Sequence, residues 1–578
     1  MVYSAWPFYV GAWRGIANRN IGMDVPIVLG LLTGFAGSLW ATITGSGLVY
    51  FDTITMLIFF LLGTRFLERN AREKSVEAAE NLLRLAPLMA TKINGKEQSL
   101  VPVMELELGD YILAKPGETI AADGVVVDGE SSVDESLLTG ESRPLKKTLN
   151  SEVFAGSINY ESPLTISVSA VAENTMLAGI SRLLDRAQAE KPKLAQTADK
   201  IAVYFTSALL LVVAVVALVW WQIDPSRTVE IILTVLVVSC PCALSLAAPA
   251  AFAAAGSHLV QRGVLLTRGH ALETLAKVTH FVFDKTGTLT LGHLTIENSH
   301  SCSEIDIEEC LKLAASLEKN SEHALAKPFI AATKHQVLYP VADAKNIPGQ
   351  GLQGAINGQV YTLGNATLHE HLLHGLSLND DASLFGATVV WLCDEKRVLA
   401  AFALADQLRP QAKEMMEKLK ARGIHVAILS GDSESAVSSF AQKVGVEEWQ
   451  AACSPEQKLA YLHALQAKGA VVAMVGDGIN DAPVLAGAQV SIAMGSGTQM
   501  ARATGDVVLL SENLLEIDHA VERSRFAINV VRENFAWALV YNLIALPFAA
   551  SGAISPWMAA IGMSVSSLIV VLNALRLK

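Results

Sequence analysis

Two stretches carry the residues best suited to chemistry. Cys240-Pro241-Cys242 sets two thiols around a proline inside an apolar segment, and the apolar run Val278-Thr279-His280-Phe281-Val282-Phe283 ends in Asp284-Lys285-Thr286-Gly287-Thr288-Leu289-Thr290. A carboxylate at the carboxyl end of a buried strand stands where α/β sheets place their active sites. There it can act as a covalent nucleophile that accepts a phosphoryl group, a reaction that calls for charge neutralisation by Mg²⁺ and a cationic side chain. The chain supplies such partners. Two further apolar runs end in Val475-Gly476-Asp477-Gly478-Ile479-Asn480-Asp481 and in Leu429-Ser430-Gly431-Asp432, and Lys458 follows Ser454-Pro455 in the first turn of a predicted helix. One Asp after a strand is ordinarily a turn or a helix cap. Three apolar runs that each end in Asp, with a lysine to neutralise them, predict a phosphoryl-transfer site.

The thiols ask for different chemistry. Proline inside a helix removes a backbone hydrogen bond and kinks or unwinds it, and in lipid such a break is tolerated only where it is buried in protein or lines a cavity. Two thiols at the break are soft ligands that select Cu⁺, with Zn²⁺ as the alternative. Near the end of the chain Tyr541-Asn542 lies in one apolar segment, and Met563 and Ser567, four residues apart, share a face of the next. A thioether, hydroxyls and an amide carry no charge, which suits a monovalent soft ion. A divalent ion calls for a buried carboxylate, and neither segment has one in its core.

These residues need a membrane scaffold and soluble domains to position them. Of the 578 residues, 51% are hydrophobic and 17% charged, whereas soluble proteins carry about 25% charged residues. A net charge of −12 with no basic stripe excludes nucleic acid as a partner. The six cysteines (240, 242, 302, 310, 393 and 453) show no disulfide-framework spacing. Six stretches reach bilayer-spanning length: 25–46, 48–67, 201–221, 229–255, 535–552 and 557–575. They form three pairs separated by two long insertions. Arg and Lys gather at the ends that border the insertions, so both insertions and both termini are expected on the cytoplasmic side. Residues 1–22, with Trp6, Phe8, Tyr9 and Trp13 beside Arg14 and Arg19, read as an interfacial amphipathic helix.

The first insertion opens with a charged helical pattern over 71–85, then alternates apolar and polar residues between Gly turns, which predicts a mostly β domain. The second alternates strand-like runs (281–283, 389–392, 426–429, 471–475, 490–493) with helical stretches such as 410–422 and 455–468. That pattern predicts a doubly wound α/β domain with a parallel sheet, interrupted by a small α+β domain. The expected plan is therefore 1–68, interfacial helix and first membrane pair; 69–200, mostly β domain; 201–255, second pair with Cys-Pro-Cys; 256–290 and 398–534, doubly wound domain; 291–397, α+β insertion; 535–578, third pair.

The Asp284-to-Thr290 stretch resembles the phosphorylation motif of the P-type ATPases. Thr139-Gly140-Glu141-Ser142 in the β insertion resembles the actuator-loop motif of that family, Ser430-Gly431-Asp432 stands where it usually has Thr-Gly-Asp, and Asp477 and Asp481 match its hinge motif. The resemblance spans nearly the whole chain. It implies an α-helical transmembrane bundle, a mostly β actuator domain, a HAD-like phosphorylation domain and an α+β nucleotide-binding domain. It further implies that ATP phosphorylates Asp284, with Mg²⁺ held at Asp284, Thr286 and Asp477 and with Lys458 as the neutralising cation. Glu141, carried by Thr139 and Gly140, would then position the hydrolytic water.

Heavy-metal members bind the adenine end of ATP with a Ser-Glu-His-Pro element and a Gly-x-Gly loop; Glu322, His323, Gly349 and Gly351 match, while position 324 is Ala in place of Pro. With Ser430, Gly431 and Asp432 these are the ATP-binding candidates. Cys240, Cys242, Tyr541, Asn542, Met563 and Ser567 resemble the metal-binding set of the copper(I) branch. Met23, Glu68 and Asp199 match its cytoplasmic intake residues, and Asp52 occupies the position of its exit carboxylate. Asn20-Ile21-Gly22-Met23-Asp24-Val25-Pro26 and Tyr50-Phe51-Asp52 resemble the bacterial pumps that supply copper for cytochrome oxidase assembly. Such pumps carry two further helices and metal-binding domains upstream; residues 1–22 read as the end of the second extra helix. The expectation is a multi-pass pump of the bacterial inner membrane that exports Cu⁺ at the expense of ATP, contacts lipid, and takes a cytosolic copper chaperone and an external copper acceptor as partners. A Zn²⁺- or Cd²⁺-exporting ATPase and a membrane-anchored HAD-type phosphatase without transport are the alternatives.

Overall fold

The structure is a computed structural model of the chain. It describes residues 1–578 except 19–23, 46–48, 67–86, 136–143, 183–191, 240–241, 322–324, 348–349, 373–387, 479–481, 496–504 and a few isolated positions. The chain divides into two compact units. One holds Met1–Lys277, Asp506–Ser511 and His519–Lys578; the other holds Val278–Gly505 and Glu512–Asp518.

The first unit contains the apolar helices. Asp24–Thr44, Lys193–Ile223 and Pro556–Leu577 are long and apolar enough to cross a membrane, and Phe51–Gly63 and Thr228–Val238 are shorter apolar helices. Their side chains meet in a shared core of Leu31, Ile54, Leu57, Val235, Leu236 and Met563. Close approach is set by glycine. A Cβ added at Gly34 would lie 3.1 Å from Ile54 Cδ1 and 3.2 Å from Leu233 Cδ1, and one at Gly37 would lie 3.2 Å from Val229 Cγ1. Small residues at helix interfaces are how helices pack where apolar burial gives no driving force. Residues Trp6–Ala17 form a helix that buries Phe8 and Ala12.

The helix boundaries differ from the expected spans. The third span begins at Lys193 and runs 31 residues, because its first turns continue the helix into polar sequence. The fourth is two helices, Thr228–Val238 and Cys242–Gln261, on either side of the Cys-Pro element. The fifth is the apolar second half of a 36-residue helix, Leu515–Ala550, so a helix rather than a domain boundary passes through 535. Hydropathy marks the apolar part of such a helix and is silent about the polar part. The expected helix over 71–85 lies outside the described residues.

The β insertion is mostly β, as its alternation predicts. Six antiparallel strands run in the order Glu97–Pro102, Met89–Asn94, Tyr111–Ala114, Leu164–Ala170, Asp123–Asp128, Glu152–Val153, and a three-stranded sheet joins Leu145–Lys147, Ser131–Asp134 and Ile158–Asn159. Ile112, Ile120, Val126, Leu164 and Ile166 fill the core between them.

The second unit has the doubly wound sheet. Its strands lie in the order Val490–Met494, Val472–Gly476, His280–Asp284, His425–Leu429, Glu448–Gln450, all parallel. Ala412–Ala421, Glu434–Val444, Pro455–Ala467 and Ala482–Gly487 are helices between them. The inserted domain is a six-stranded antiparallel sheet with helices Ile307–Glu318 and Ala326–Ala332. It corrects two expectations. The run 389–392 lies in strand Thr388–Asp394 of this antiparallel sheet and not in the parallel one, and the insertion ends with strand Val398–Leu408 rather than at 397. The reason is pairing: Val398–Leu408 returns antiparallel to Thr290–Ser301, down to Thr290 opposite Leu408. An apolar strand buried on both faces looks alike in either kind of sheet.

Candidate active site

Parallel register makes the site. Asp284 pairs with Leu429 and Phe283 with Val475, so three strands end level. The residues that follow them, Ser430-Gly431-Asp432 and Asp477, therefore surround Asp284. Lys458 comes from the helix Pro455–Ala467, whose start is fixed by a capping box between Ser454 and Gln457. Its Nζ lies 2.7 Å from Asp284 Oδ1, and the two side chains are 7% and 9% exposed.

The backbone leaves Asp284 through a tight loop. Gly287 has φ +70°, and a Cβ there would lie 2.5 Å from Asp477 Oδ2. The turn needs positive φ and the Asp477 carboxylate needs the space, so only glycine serves both. The Thr290 hydroxyl receives the Gly287 N–H at 3.2 Å and bridges the Lys285 carbonyl at 3.1 Å and the Asp406 carboxylate. Lys285 forms an ion pair with Asp432 and lies 5.8 Å from the centre of the Phe440 ring. Burial alone would raise the Asp432 carboxyl, but Lys285 and the Ser430 hydroxyl, which donates to it at 2.9 Å, outweigh burial and hold it below the ordinary carboxylate range.

Two residues here escape the sequence reading. Arg409, the largest fully buried side chain among the described residues, donates from Nε to the Thr288 carbonyl at 3.0 Å and from its own backbone N–H to the Leu289 carbonyl at 3.0 Å. With Asp406 it braces the whole turn from the end of Val398–Leu408. A signal existed in Asp406-Gln407-Leu408-Arg409-Pro410, an Arg and an Asp closing an apolar run, but nothing in the sequence tied that run to Asp284.

The expected ATP-binding residues divide. Ser430, Gly431 and Asp432 stand beside Asp284. Gly351 opens the hairpin of Gly351–Ile356 with Gln359–Gly364; at φ +154° an added Cβ would lie 2.2 Å from the Leu363 carbonyl, which excludes any other residue. Thr286 is exposed in the turn. Glu322, His323, Gly349 and Asp481 lie outside the described residues. So do Thr139, Gly140 and Glu141, on the connection between Ser131–Asp134 and Leu145–Lys147. The base of that connection is fixed by Lys147, 2.7 Å from the Glu135 carboxylate, with side chains 12% and 3% exposed. Burial raises the Glu135 carboxyl against the opposing pull of Lys147.

In the first unit Tyr541, Asn542, Met563 and Ser567 sit on the facing helices Leu515–Ala550 and Pro556–Ala574. An added Cβ at Gly562 would lie 3.0 Å from the Tyr541 hydroxyl, which places the ring against the second helix. Met563 and Ser567 are 2% and 3% exposed. The Asn542 amide donates back to Ala538 at 2.8 Å, while Asn542 Oδ1 and Ser567 Oγ are buried without a hydrogen-bond partner among the described residues. Such atoms are costly unless a ligand meets them. Cys240, Met23 and Glu68 lie outside the described residues, as do the side chains of Cys242 and Asp199. Asp52 is exposed in the first turn of its helix.

Known proteins match at both levels. A haloacid dehalogenase-like hydrolase model matches residues 278–489, and a P-type ATPase actuator domain model matches 84–185. A probable copper-exporting P-type ATPase V of Mycobacterium tuberculosis is 36% identical over 585 residues, covering 100% of this chain and 76% of that protein. A probable copper-importing P-type ATPase A of Enterococcus hirae is 35% identical, over 100% of this chain and 80% of its own length. The chain belongs to the P-type ATPases.

The fold agrees. The crystal structure of a zinc-transporting PIB-type ATPase in the E2.Pi state superposes with a TM-score of 0.66 at 29% identity, over 99% of this chain and 93% of that one. Asp284, at the end of its strand, and Asp477, against Gly287, offer hard carboxylate oxygens, a donor type that fits Mg²⁺ and not a soft metal.

Proposed function

We propose that the chain exports Cu⁺ from the cytoplasm, driven by ATP through an aspartyl phosphate at Asp284. The observation that supports Cu⁺ is the uncharged apolar segments 535–552 and 557–575, with two buried oxygens, Asn542 Oδ1 and Ser567 Oγ, that have no hydrogen-bond partner among the described residues, beside Tyr541 and Met563. No carboxylate in these segments would balance a second positive charge. Cys240 and Cys242 add the thiolates that favour a soft monovalent ion.

Asp284 attacks the γ-phosphoryl group, and the bond to ADP breaks as the acyl phosphate forms. Asp284, Asp477 and Thr286 would hold Mg²⁺, which would supply charge neutralisation. Lys458 balances the Asp284 carboxylate and stays on its far oxygen as the other reacts. Gly351, Gly349, Glu322 and His323 receive the nucleotide, with Ser430, Gly431 and Asp432 at the phosphate end. Glu141 on its loop with Thr139 and Gly140 positions the water that hydrolyses the acyl phosphate. Met23, Glu68 and Asp199 admit the ion, and Asp52 marks its exit. The setting is a bacterial inner membrane, with a cytosolic chaperone delivering the ion and an external protein receiving it.

The test is phosphorylation from ATP by the full chain in reductant with Cu⁺, Zn²⁺ or Cd²⁺. Phosphoenzyme that rises with Cu⁺ alone supports the proposal. A rise with Zn²⁺ or Cd²⁺ alone transfers the assignment to a divalent exporter, the reading favoured by the zinc-transporting structural neighbour. Vesicles of each orientation then decide the direction, on which the names of the two relatives differ.

A further inference from the structure

The seam between Leu515–Ala550 and Pro556–Ala574 holds a polar side chain that the ion site does not use. Asn534 is 2% exposed and stands seven residues before Tyr541, two turns away on the same face. Its Nδ2 donates at 3.5 Å to the Ala247 carbonyl and at 3.4 Å to the Val570 carbonyl, and its Oδ1 receives Asn573 Nδ2 at 2.9 Å. Ala247 lies five residues beyond Cys242 on Cys242–Gln261, and Val570 three beyond Ser567 on Pro556–Ala574. Those steps are about 7.5 and 4.5 Å along their helices. One side chain therefore ties together the three helices that carry the candidate ligands. Its surroundings are apolar: Leu246, Ala247, Ala538 and Val570, with Phe535 and Val571.

Partners that can act in only one way fix the direction of each bond. Arg576 only donates, and its Nη1 reaches Asn573 Oδ1 at 2.7 Å and Glu533 Oε2 at 2.9 Å. Asn573 must then turn its Nδ2 to Asn534 and to Glu533, 3.1 Å away. Backbone carbonyls only accept, so Asn534 turns its own Nδ2 to Ala247 and Val570. With its oxygen engaged and its nitrogen protonated, Asn534 is not built as an ion ligand. Asn542 differs, since its Oδ1 has no hydrogen-bond partner among the described residues.

The contacts are unequal. The last two helices are zipped by short bonds, Asn573 to Asn534 and Trp537 Nε1 to Ser566 Oγ at 3.1 Å, and by Tyr541 against Gly562. The helix of Cys242 is reached by the longest bond of the set, at the weak end of hydrogen-bond range. Pro249 follows Ala247 by two residues and removes one backbone bond from that part of the helix. The helix pair is thus the fixed half of the ion site, and the helix of Cys242 is the half able to shift.

We propose that Asn534 is a positioning residue for the transported ion. It clasps the helix of Cys242 to the preassembled helix pair, and its release of the Ala247 carbonyl separates the thiols from Tyr541, Asn542, Met563 and Ser567. This role rests on reading those residues as the ion site. Asn573, oriented by Arg576 and Glu533, keeps the clasp aimed. A weak bond suits the task. Interhelical hydrogen bonds in membranes are individually modest, so a closed clasp adds to ion affinity without locking the site against release.

The test is phosphorylation of the full chain from ATP against buffered Cu⁺ in reductant. Asn534→Leu keeps the volume and removes the donor. It is expected to raise the half-effective Cu⁺ about three- to tenfold, the loss of one buried hydrogen bond, with maximal phosphoenzyme and ATP dependence unchanged. Asn573→Leu shifts it in the same direction by less, and the double variant is no worse than Asn534→Leu, because the two residues act in one chain. Phosphorylation by inorganic phosphate without metal stays at the wild-type level in each, which shows that they fold. X-ray absorption of bound Cu⁺ is expected to show the same neighbours in Asn534→Leu as in wild type. A lost neighbour makes Asn534 a ligand and overturns the clasp, as does an unchanged half-effective Cu⁺. Asn542→Leu tests the ion site by itself: a wild-type Cu⁺ response there sinks the site and the clasp with it, whereas a wild-type response confined to Asn534→Leu sinks the clasp alone.

Discussion

Asp284 and Lys458 form an ion pair 2.7 Å apart with both side chains more than nine-tenths buried. Asp284→Asn keeps a hydrogen-bond acceptor for Lys458 and removes the nucleophile. It is expected to leave the fold intact and to abolish the acid-stable, hydroxylamine-labile phosphoenzyme; labelling that persists refutes Asp284 as the acceptor. Arg409→Met strips the Thr288 carbonyl of its buried donor and is expected to cost about 1–3 kcal/mol of stability, with slower phosphorylation from ATP at unchanged metal dependence. The Asp432 carboxyl is held low by Lys285. A group with a depressed folded pKa contributes stability above its unfolded value, near about pH 4, and loses it as pH falls through the folded value. The thermal stability of wild type relative to Asp432→Asn is therefore expected to be flat from about pH 5 to 7 and to shrink below about pH 4; an advantage that grows on acidification contradicts the pair. Burial pushes the Cys310 thiol up to about 11 and Cys393 up to about 12. Alkylation of the folded chain at neutral pH should spare both, since the thiolate is the reactive form, and peptide mass mapping checks it.

At the scale of elements, helix contacts depend on the glycine face of Asp24–Thr44. Gly34→Leu would drive a side chain into Ile54 and Leu233 and is expected to cost about 1–3 kcal/mol, read as loss of folded chain on heating in detergent. Some of the architecture was open to a reader of the sequence and some was not. Strand ends carrying Asp284, Asp432 and Asp477 could be found, because a parallel sheet leaves apolar runs with abrupt polar ends. The brace from Asp406 and Arg409 could not, because it depends on which sheet Val398–Leu408 joins, and pairing is not written in an apolar run. Helix ends beyond the apolar core, at Lys193 and Leu515, escaped because hydropathy reports lipid contact and not helix length.

For the whole molecule, the helices leave Leu211, Leu218, Trp221, Leu543 and Leu572 exposed at 54% or more. So much apolar surface requires lipid. The chain is expected to stay with membranes through high salt and alkaline carbonate and to leave only with detergent; release by salt alone would contradict the spanning helices.

The strands Thr290–Ser301 and Val398–Leu408 enter and leave the inserted domain as an antiparallel ribbon, with Thr290 opposite Leu408. The whole insertion therefore hangs on two neighbouring backbone points, about 5 Å apart as antiparallel partners are. The insertion is in this sense a detachable cartridge. Chain could be excised between those points and replaced by a two-residue turn, or another ligand-binding module could be spliced there, while the strand that presents Asp284 keeps both of its parallel neighbours.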